Sequence, residues 1–263
     1  MRRTNVPGIL VTSLIPNTVR DFPGTTDSQW GTADVLVKAS NLPEHPHVVV
    51  NEFICNRLAV ALGLPCPAGD IWVDADGVAH WVSLEIKKGG ITLAPPTRAI
   101  VRRLPEFDRA LIVYFDAMIG NPDRTEENIL AASRGRYWLI DHDMALFGDM
   151  TGDNIGERLL STVDRPLAST TGTLAPEIFP GDTNARGLAE WRVKNISEKV
   201  IAQAVQPMVS NDLLTASDAK AVKRYLKERS RSIDALVPVA TGRLPLEISG
   251  GLFDWGKGDR DDS

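Results

Sequence analysis

Long hydrophobic runs are missing from this chain: no apolar stretch approaches the roughly 20 residues that cross a bilayer, so no membrane span is expected. The basic start Met1-Arg2-Arg3 leads into residues 9–15, which Thr12 and Ser13 interrupt and Pro16 closes, so no secretory leader core is expected either. Cysteine is scarce. Cys55 falls in a helical pattern and Cys66 between prolines, without paired spacing, which fits a reducing, cytoplasmic setting. The four histidines, His45, His47, His80 and His142, show no zinc-ligand spacing with the cysteines. There is no Gly-x-Ser-x-Gly elbow and no glycine-rich stretch ending in Gly-Lys-Ser or Gly-Lys-Thr, which disfavours serine hydrolases and P-loop enzymes. Internal repeats are lacking as well.

What is present reads as ordinary globular sequence, with 43% hydrophobic and 24% charged residues in 263. That length accommodates one large domain or two lobes. The net charge of −5 argues against a dedicated nucleic-acid binder.

The most informative stretch is Asn121-Pro122-Asp123-Arg124-Thr125-Glu126-Glu127-Asn128 with its continuation Ile140-Asp141-His142-Asp143. Between them lie an apolar run at 129–133, the turn Arg134-Gly135 and a second apolar run at 137–140, which predicts strand, turn, strand. Each polar cluster therefore stands at a hairpin end. An Asp, an Asn five residues on and a further Asp closing the next strand suit phosphoryl transfer. The first carboxylate takes the proton of an attacking hydroxyl, while the amide oxygen and last carboxylate hold magnesium against nucleotide phosphates. The same residues are compatible with an Asn-Pro-Asp turn and a polar strand exit. The hairpin context and the upstream Lys and Glu favour the chemical reading.

On Gly120-Asn121-Pro122-Asp123-Arg124 and Asn128, and on the strand ending Ile140-Asp141, the chain resembles the HipA-like kinases. That family has a protein-kinase-like fold related in layout to the phosphatidylinositol kinases. Thr125 stands where the family usually has His, a departure that leaves the acid-base and metal positions intact. The resemblance extends over about 33–147. It implies catalytic roles for Asp123 and Arg124, the latter stabilising the loop or the developing charge. It further implies metal ligation by Asn128 and Asp141, with ATP and Mg2+ as cofactors.

Upstream, 6–15 is expected to be a strand and 16–32 a polar, turn-rich segment. Gly24, Thr25 and Thr26 lie where kinases carry a loop over the phosphates, and Ser28 follows; small residues there let backbone amides approach an anion. Residues 33–40 alternate into a strand that ends in Lys38, an edge residue in an ordinary sheet and a phosphate-binding cation in a kinase. A helix over 47–63, closed by Gly63, carries Glu52 as the expected partner of Lys38. Phe53, Arg57, Leu58, Leu62, Gly63, Leu64 and Pro67 resemble the family's Glu-helix and the Leu-Gly-Leu-x-x-Pro after it. Asp74-Ala75-Asp76-Gly77 marks a hairpin. Lys87-Lys88-Gly89-Gly90 marks the expected hinge, with backbone groups of 84–87 facing adenine. A periodic helix over 106–119 delivers the chain to Gly120.

After Asp143 the segment 148–187 is expected to be a long loop, interrupted by a short helix near 155–160 and carrying Ser169-Thr170-Thr171-Gly172-Thr173. Two closing helices are predicted over 185–206 and 217–236. The second bears a basic face of Lys220, Lys223, Arg224, Lys227, Arg229 and Arg231.

The expected architecture is α+β, a two-lobed protein-kinase-like fold. An ATP-binding lobe over 1–88, mostly antiparallel β with one helix, precedes a mainly helical catalytic lobe over 89–240 and a tail over 241–263. The resemblance implies transfer of the γ-phosphoryl group of ATP to Ser or Thr of a protein, with autophosphorylation at Thr25, Thr26 or Ser28, and an antitoxin-like regulatory partner. No direct nucleic-acid contact is expected. Two other readings stay open: a lipid or small-molecule kinase, and a nucleotide-binding pseudokinase or interaction module that uses the basic last helix.

Overall fold

The structure, a computed structural model, describes residues 8–9, 11–15, 30–39, 45–88, 90–132, 135–167 and 173–237, with backbone alone for 8–9, 11–15 and 30. Gly24, Thr25, Thr26 and Ser28, residues 169–172 and the tail 241–263 lie outside the described residues.

The first half is built from short antiparallel pairings. β1 (Gly8–Ile9) pairs with β7 (Ile86–Lys88), which also pairs with β8 (Ile91–Thr92). β2 (Val11–Ile15) pairs with β3 (Trp30–Ala33), so Trp30 to Thr32 form a strand rather than the end of the expected turn-rich segment; pairing to β2 overrides their local composition. β4 (Val35–Ala39) and β5 (Gly69–Val73) flank β6 (Ala79–Leu84). The β5–β6 turn is closed by Asp74, whose carboxylate accepts from the amides of Asp76 and Val78, while Gly77 takes φ 80°.

On this sheet lies α1 (Val48–Leu62), whose residues 48–56 are all buried. It packs against β6 on one side and against a helix of the second half, α7 (Glu198–Ser210), on the other, which explains why its polar residues Asn51, Glu52 and Asn56 are buried with its apolar ones. Gly63 ends it at φ 84°, and its amide and that of Leu64 cap the last carbonyls.

The second half is helical. After α2 (Arg98–Val101), α3 (Glu106–Ile119) forms its axis, buried from 110 to 119 and packed on α6 (Thr183–Lys194), α8 (Ala216–Arg231) and α9 (Ile233–Leu236). One core unites α1, α3, the hairpin β9 (Ile129–Ala131) and β10 (Tyr137–Leu139), and the closing helices.

Three expectations change here. The segment 148–187 contains α4 (Ile155–Leu160), α5 (Ala175–Ile178) and the start of α6, and is tied down by Leu174 N–H donating to Arg124 O and Leu167 N–H to Leu236 O. Its Gly, Ser and Pro residues are punctuation between packed elements. The single helix expected over 185–206 is two, because Asn195 Nδ2 turns back onto Trp191 O and Ser197 Oγ caps the next helix by accepting from Val200 N–H. Likewise 217–236 is divided at Ser232 into α8 and α9.

Arg229 is the third. Expected on the basic outer face of α8, it is 2% exposed and donates to the carbonyls of Ala117, Thr162, Val163 and Arg165. The remaining face is partly neutralised, with Lys227 and Arg231 on Glu198 and Arg224 on Glu228.

Candidate active site

Gly120 ends α3 in the left-handed region at φ 68°, and a Cβ there would stand 2.5 Å from Tyr225 Oη. Only glycine fits both constraints. The turn that follows is held from below by Asp116, a buried carboxylate on the last turn of α3. Asn121 Nδ2 donates to it (3.1 Å), and Arg124 donates to it through Nε (3.1 Å) and Nη2 (3.0 Å). Arg124 Nη1 also donates to Asn128 O (2.9 Å) and Ile140 O (2.8 Å), joining the loop to the exit of β10. With both Asp116 and Arg124 at 2% side-chain exposure, the guanidinium faces inward. Of the two roles expected for Arg124, this geometry serves loop stabilisation, the guanidinium being engaged by Asp116, Asn128 O and Ile140 O.

Asp123, by contrast, is exposed at the loop's outer edge. Partial burial raises its carboxyl above the usual range; the Asn128 amide opposes the shift and the charge of Asp141 adds to it. Asn128 sits on a short 3-10 turn, Glu126–Asn128, and its Nδ2 donates to Asp123 O (2.6 Å), which leaves its amide oxygen as the accepting end. The hairpin β9–β10 then returns the chain to Asp141, at φ 59°.

The small lobe supplies Lys38 from β4. Its Nζ donates to Glu52 Oε1 (2.7 Å) and Asp141 Oδ1 (2.7 Å) and reaches Asp143 Oδ2 at 3.4 Å. Burial works against the ammonium charge, but the three carboxylates outweigh it and hold the pKa of Lys38 well above ordinary. Burial would also raise Glu52; the hydrogen bond from His142 and the charge of Lys38 win instead, and its carboxyl falls to about 2. Asp143 is pushed up to about 6 by burial and by the charge of Asp141. His142 fills the space behind Glu52, its Nδ1 3.4 Å from Glu52 Oε2 and its ring edge-on to Phe115.

Above these groups a cavity of about 330 Å³ opens between β4, β6 and β10, with Leu36, Leu84, Ile86, Leu130, Leu139 and Ile140 among its walls and Lys38, Glu52 and Asp141 at its polar end. An apolar slot that ends in a cation and carboxylates suits a flat base joined to an anionic tail. Within the stretch 84–87 expected to face adenine, the amides of Leu84 and Glu85 already donate to Ala68 O and Asp34 O, so sheet pairing takes these two donors.

The structure thus brings together Lys38, Glu52, Asp123, Asn128 and Asp141 and turns Arg124 away, while Gly24, Thr25 and Thr26 lie outside the described residues. Sequence reasoning passed over Asp116, Asn51 and Asp143. Asp116 was legible as a lone carboxylate in the apolar run 110–119, and Asp143 as the second member of Asp-x-Asp; Asn51 had no signal beyond its place beside Glu52.

Fold and cleft together define a two-lobed, protein-kinase-like fold, the fold that the motif implied. Among solved structures the chain is similar to the Helicobacter pylori proinflammatory kinase CtkA, at 12% identity and a TM-score of 0.53, over 77% of this chain and 88% of that one. It also matches HipA of Shewanella oneidensis MR-1, in complex with HipB and operator DNA, at 15% identity over 88% of this chain and 65% of that one. With a TM-score of 0.40 this second likeness is too loose to carry weight. At these identities the likeness shows the fold alone. No family model matches the chain, and no curated protein does.

Proposed function

We propose that this protein is an ATP- and magnesium-dependent kinase that transfers the γ-phosphoryl group to a hydroxyl, with Ser or Thr of a protein as the acceptor class. The observation that carries the reading is Lys38: a cation held by buried Glu52 at the polar end of an apolar cleft, pointing at Asp141, with Asp123 and Asn128 presented from the adjacent loop. In this reading Lys38 exchanges its contact with Asp141 for the α- and β-phosphates, and Glu52 keeps the ammonium in place as it does so. Asp123 orients the acceptor hydroxyl and takes its proton, a task its raised pKa serves. Arg124 keeps the loop in register through Asp116 and Ile140 O.

The residues present fit a hard divalent cation: Asp141 and Asp143 converge on one cationic atom, the carboxyl of Asp143 is raised by burial and then by the charge of Asp141, and Asn128 offers an amide oxygen. Bound magnesium would neutralise phosphate charge there. Incubation with magnesium-ATP followed by mass spectrometry tests the proposal. Phosphate on Thr25, Thr26 or Ser28, or on an added protein acceptor, lost in Asp123→Asn, is the expected result. Transfer to a lipid head group alone would replace the acceptor class, and no transfer to any acceptor would defeat the reading.

A further inference from the structure

Asn51 precedes Glu52 on α1, is fully buried, and is turned away from the cleft toward the segment that follows Asp141. Its Nδ2 donates to Asp143 O at 2.6 Å, and its Oδ1 accepts from Phe147 N–H at 3.5 Å. Only a side chain with a separate donor atom and acceptor atom at the end of one short stem makes both contacts; Asp lacks the donor, Ser has a single, shorter-reaching hydroxyl, and Leu lacks both. The backbone it grips is a strained one. Asp141 (φ 59°) and Leu146 (φ 49°) are both non-glycine residues in the left-handed region, and they bracket the carbonyl that Asn51 holds. Leu146 N–H is anchored separately to Ile119 O, and His47, one turn before Asn51 on the same side, meets Met150 O at 2.8 Å.

From this geometry we infer that Asn51 is a positioning residue for the carboxylates of Asp141 and Asp143, and so for the divalent cation they would hold. The inference rests on the phosphotransfer reading above. Because Asn51 and Glu52 are consecutive on one rigid helix, a single placement of α1 sets the partner of Lys38 and the peptide of Asp143 together. If α1 shifts, both halves of the polar site move at once. Nothing in the side chain of Asn51 reaches the cleft, so nucleotide without metal should not sense it directly.

The test is a magnesium titration read by thermal unfolding at a fixed saturating ADP concentration, beside binding of a fluorescent ADP analogue in chelator. Wild type, Asn51→Leu and Asn51→Ser are compared. The magnesium concentration for half-maximal shift should rise about tenfold or more in both variants, the size of effect typical of groups that orient metal ligands. Metal-free nucleotide affinity should stay within about twofold. An unchanged magnesium midpoint overturns the inference, and so does a variant that is unfolded without ligand, since Asn51 would then be a core residue only. If wild type itself shows no magnesium-dependent nucleotide binding, the phosphotransfer reading fails and takes this inference with it.

Discussion

Lys38 Nζ lies 2.7 Å from Asp141 Oδ1, so the cation of the small lobe neutralises the carboxylate at the end of β10. The divalent cation proposed for this site would compete with the lysine for that one group. Lys38→Met should weaken magnesium-ATP binding about 10–100-fold through lost charge-assisted hydrogen bonds. It should also tighten binding of magnesium alone by about tenfold, because a positive charge a few ångströms from the ligands is gone. Calorimetric titrations with and without nucleotide check both; weaker binding of the bare cation would contradict this account.

Glu52 gives a pH signature. Its folded pKa of about 2 is depressed below the ordinary 4.5, so its contribution to stability is fully present above pH 4.5 and is lost as pH falls through about 2. Unfolding midpoints of wild type should drop across that window more steeply than those of Glu52→Gln. Parallel curves for the two proteins would remove Glu52 from the acid response.

Asp123 and Arg124 are neighbours with opposite expected phenotypes. Asp123→Asn should lower kcat by about 10²–10⁴-fold, with magnesium-ATP affinity and the unfolding midpoint nearly unchanged. Arg124→Leu leaves Asp116 buried and uncompensated and should cost about 3–5 kcal/mol of stability. Adding Asp116→Leu should recover part of that loss in chemical denaturation. A stable Arg124→Leu protein with selectively lost kcat would restore a catalytic role for the arginine.

Gly120→Ala should destabilise by about 1–2 kcal/mol from backbone strain alone, with a further steric part from the Tyr225 hydroxyl. Tyr225→Phe in the same chain should relieve the steric part, since the ring carbon beneath the hydroxyl is an ordinary 3.7 Å away. Equal denaturation midpoints for the single and double variants would mean that the loop moves to avoid the clash.

Most of the polar site was legible because its residues stand at element ends. Lys38 is near the end of β4, Asn128 enters β9, Asp141 leaves β10, and Gly120 and Gly63 stop helices, so turn chemistry and period place them. The short helix at 155–160 falls where the sequence put it, but the closing helices were read too long or too late, because short polar caps such as Ser197 and Asn195 look like surface residues inside a periodic pattern. Arg229 was misplaced for a related reason. A helical period assigns a face, yet carbonyls from another element decide whether a cation on that face is drawn inward.

By itself the sequence determined the hairpin with its polar ends, the capped helix that carries Glu52, and the order of an antiparallel β-rich half and a helical half. These follow from local rules of period, capping and turn geometry. Tertiary structure alone decided that Lys38 meets Asp141 across 103 positions, that Asp116 braces the loop at 121–128, that Arg124 points inward, and that Asn51 grips the peptide of Asp143. Those pairings are made between elements distant in sequence. What selects them is the need of buried charges and amides for partners, a demand that exists only once packing has removed water.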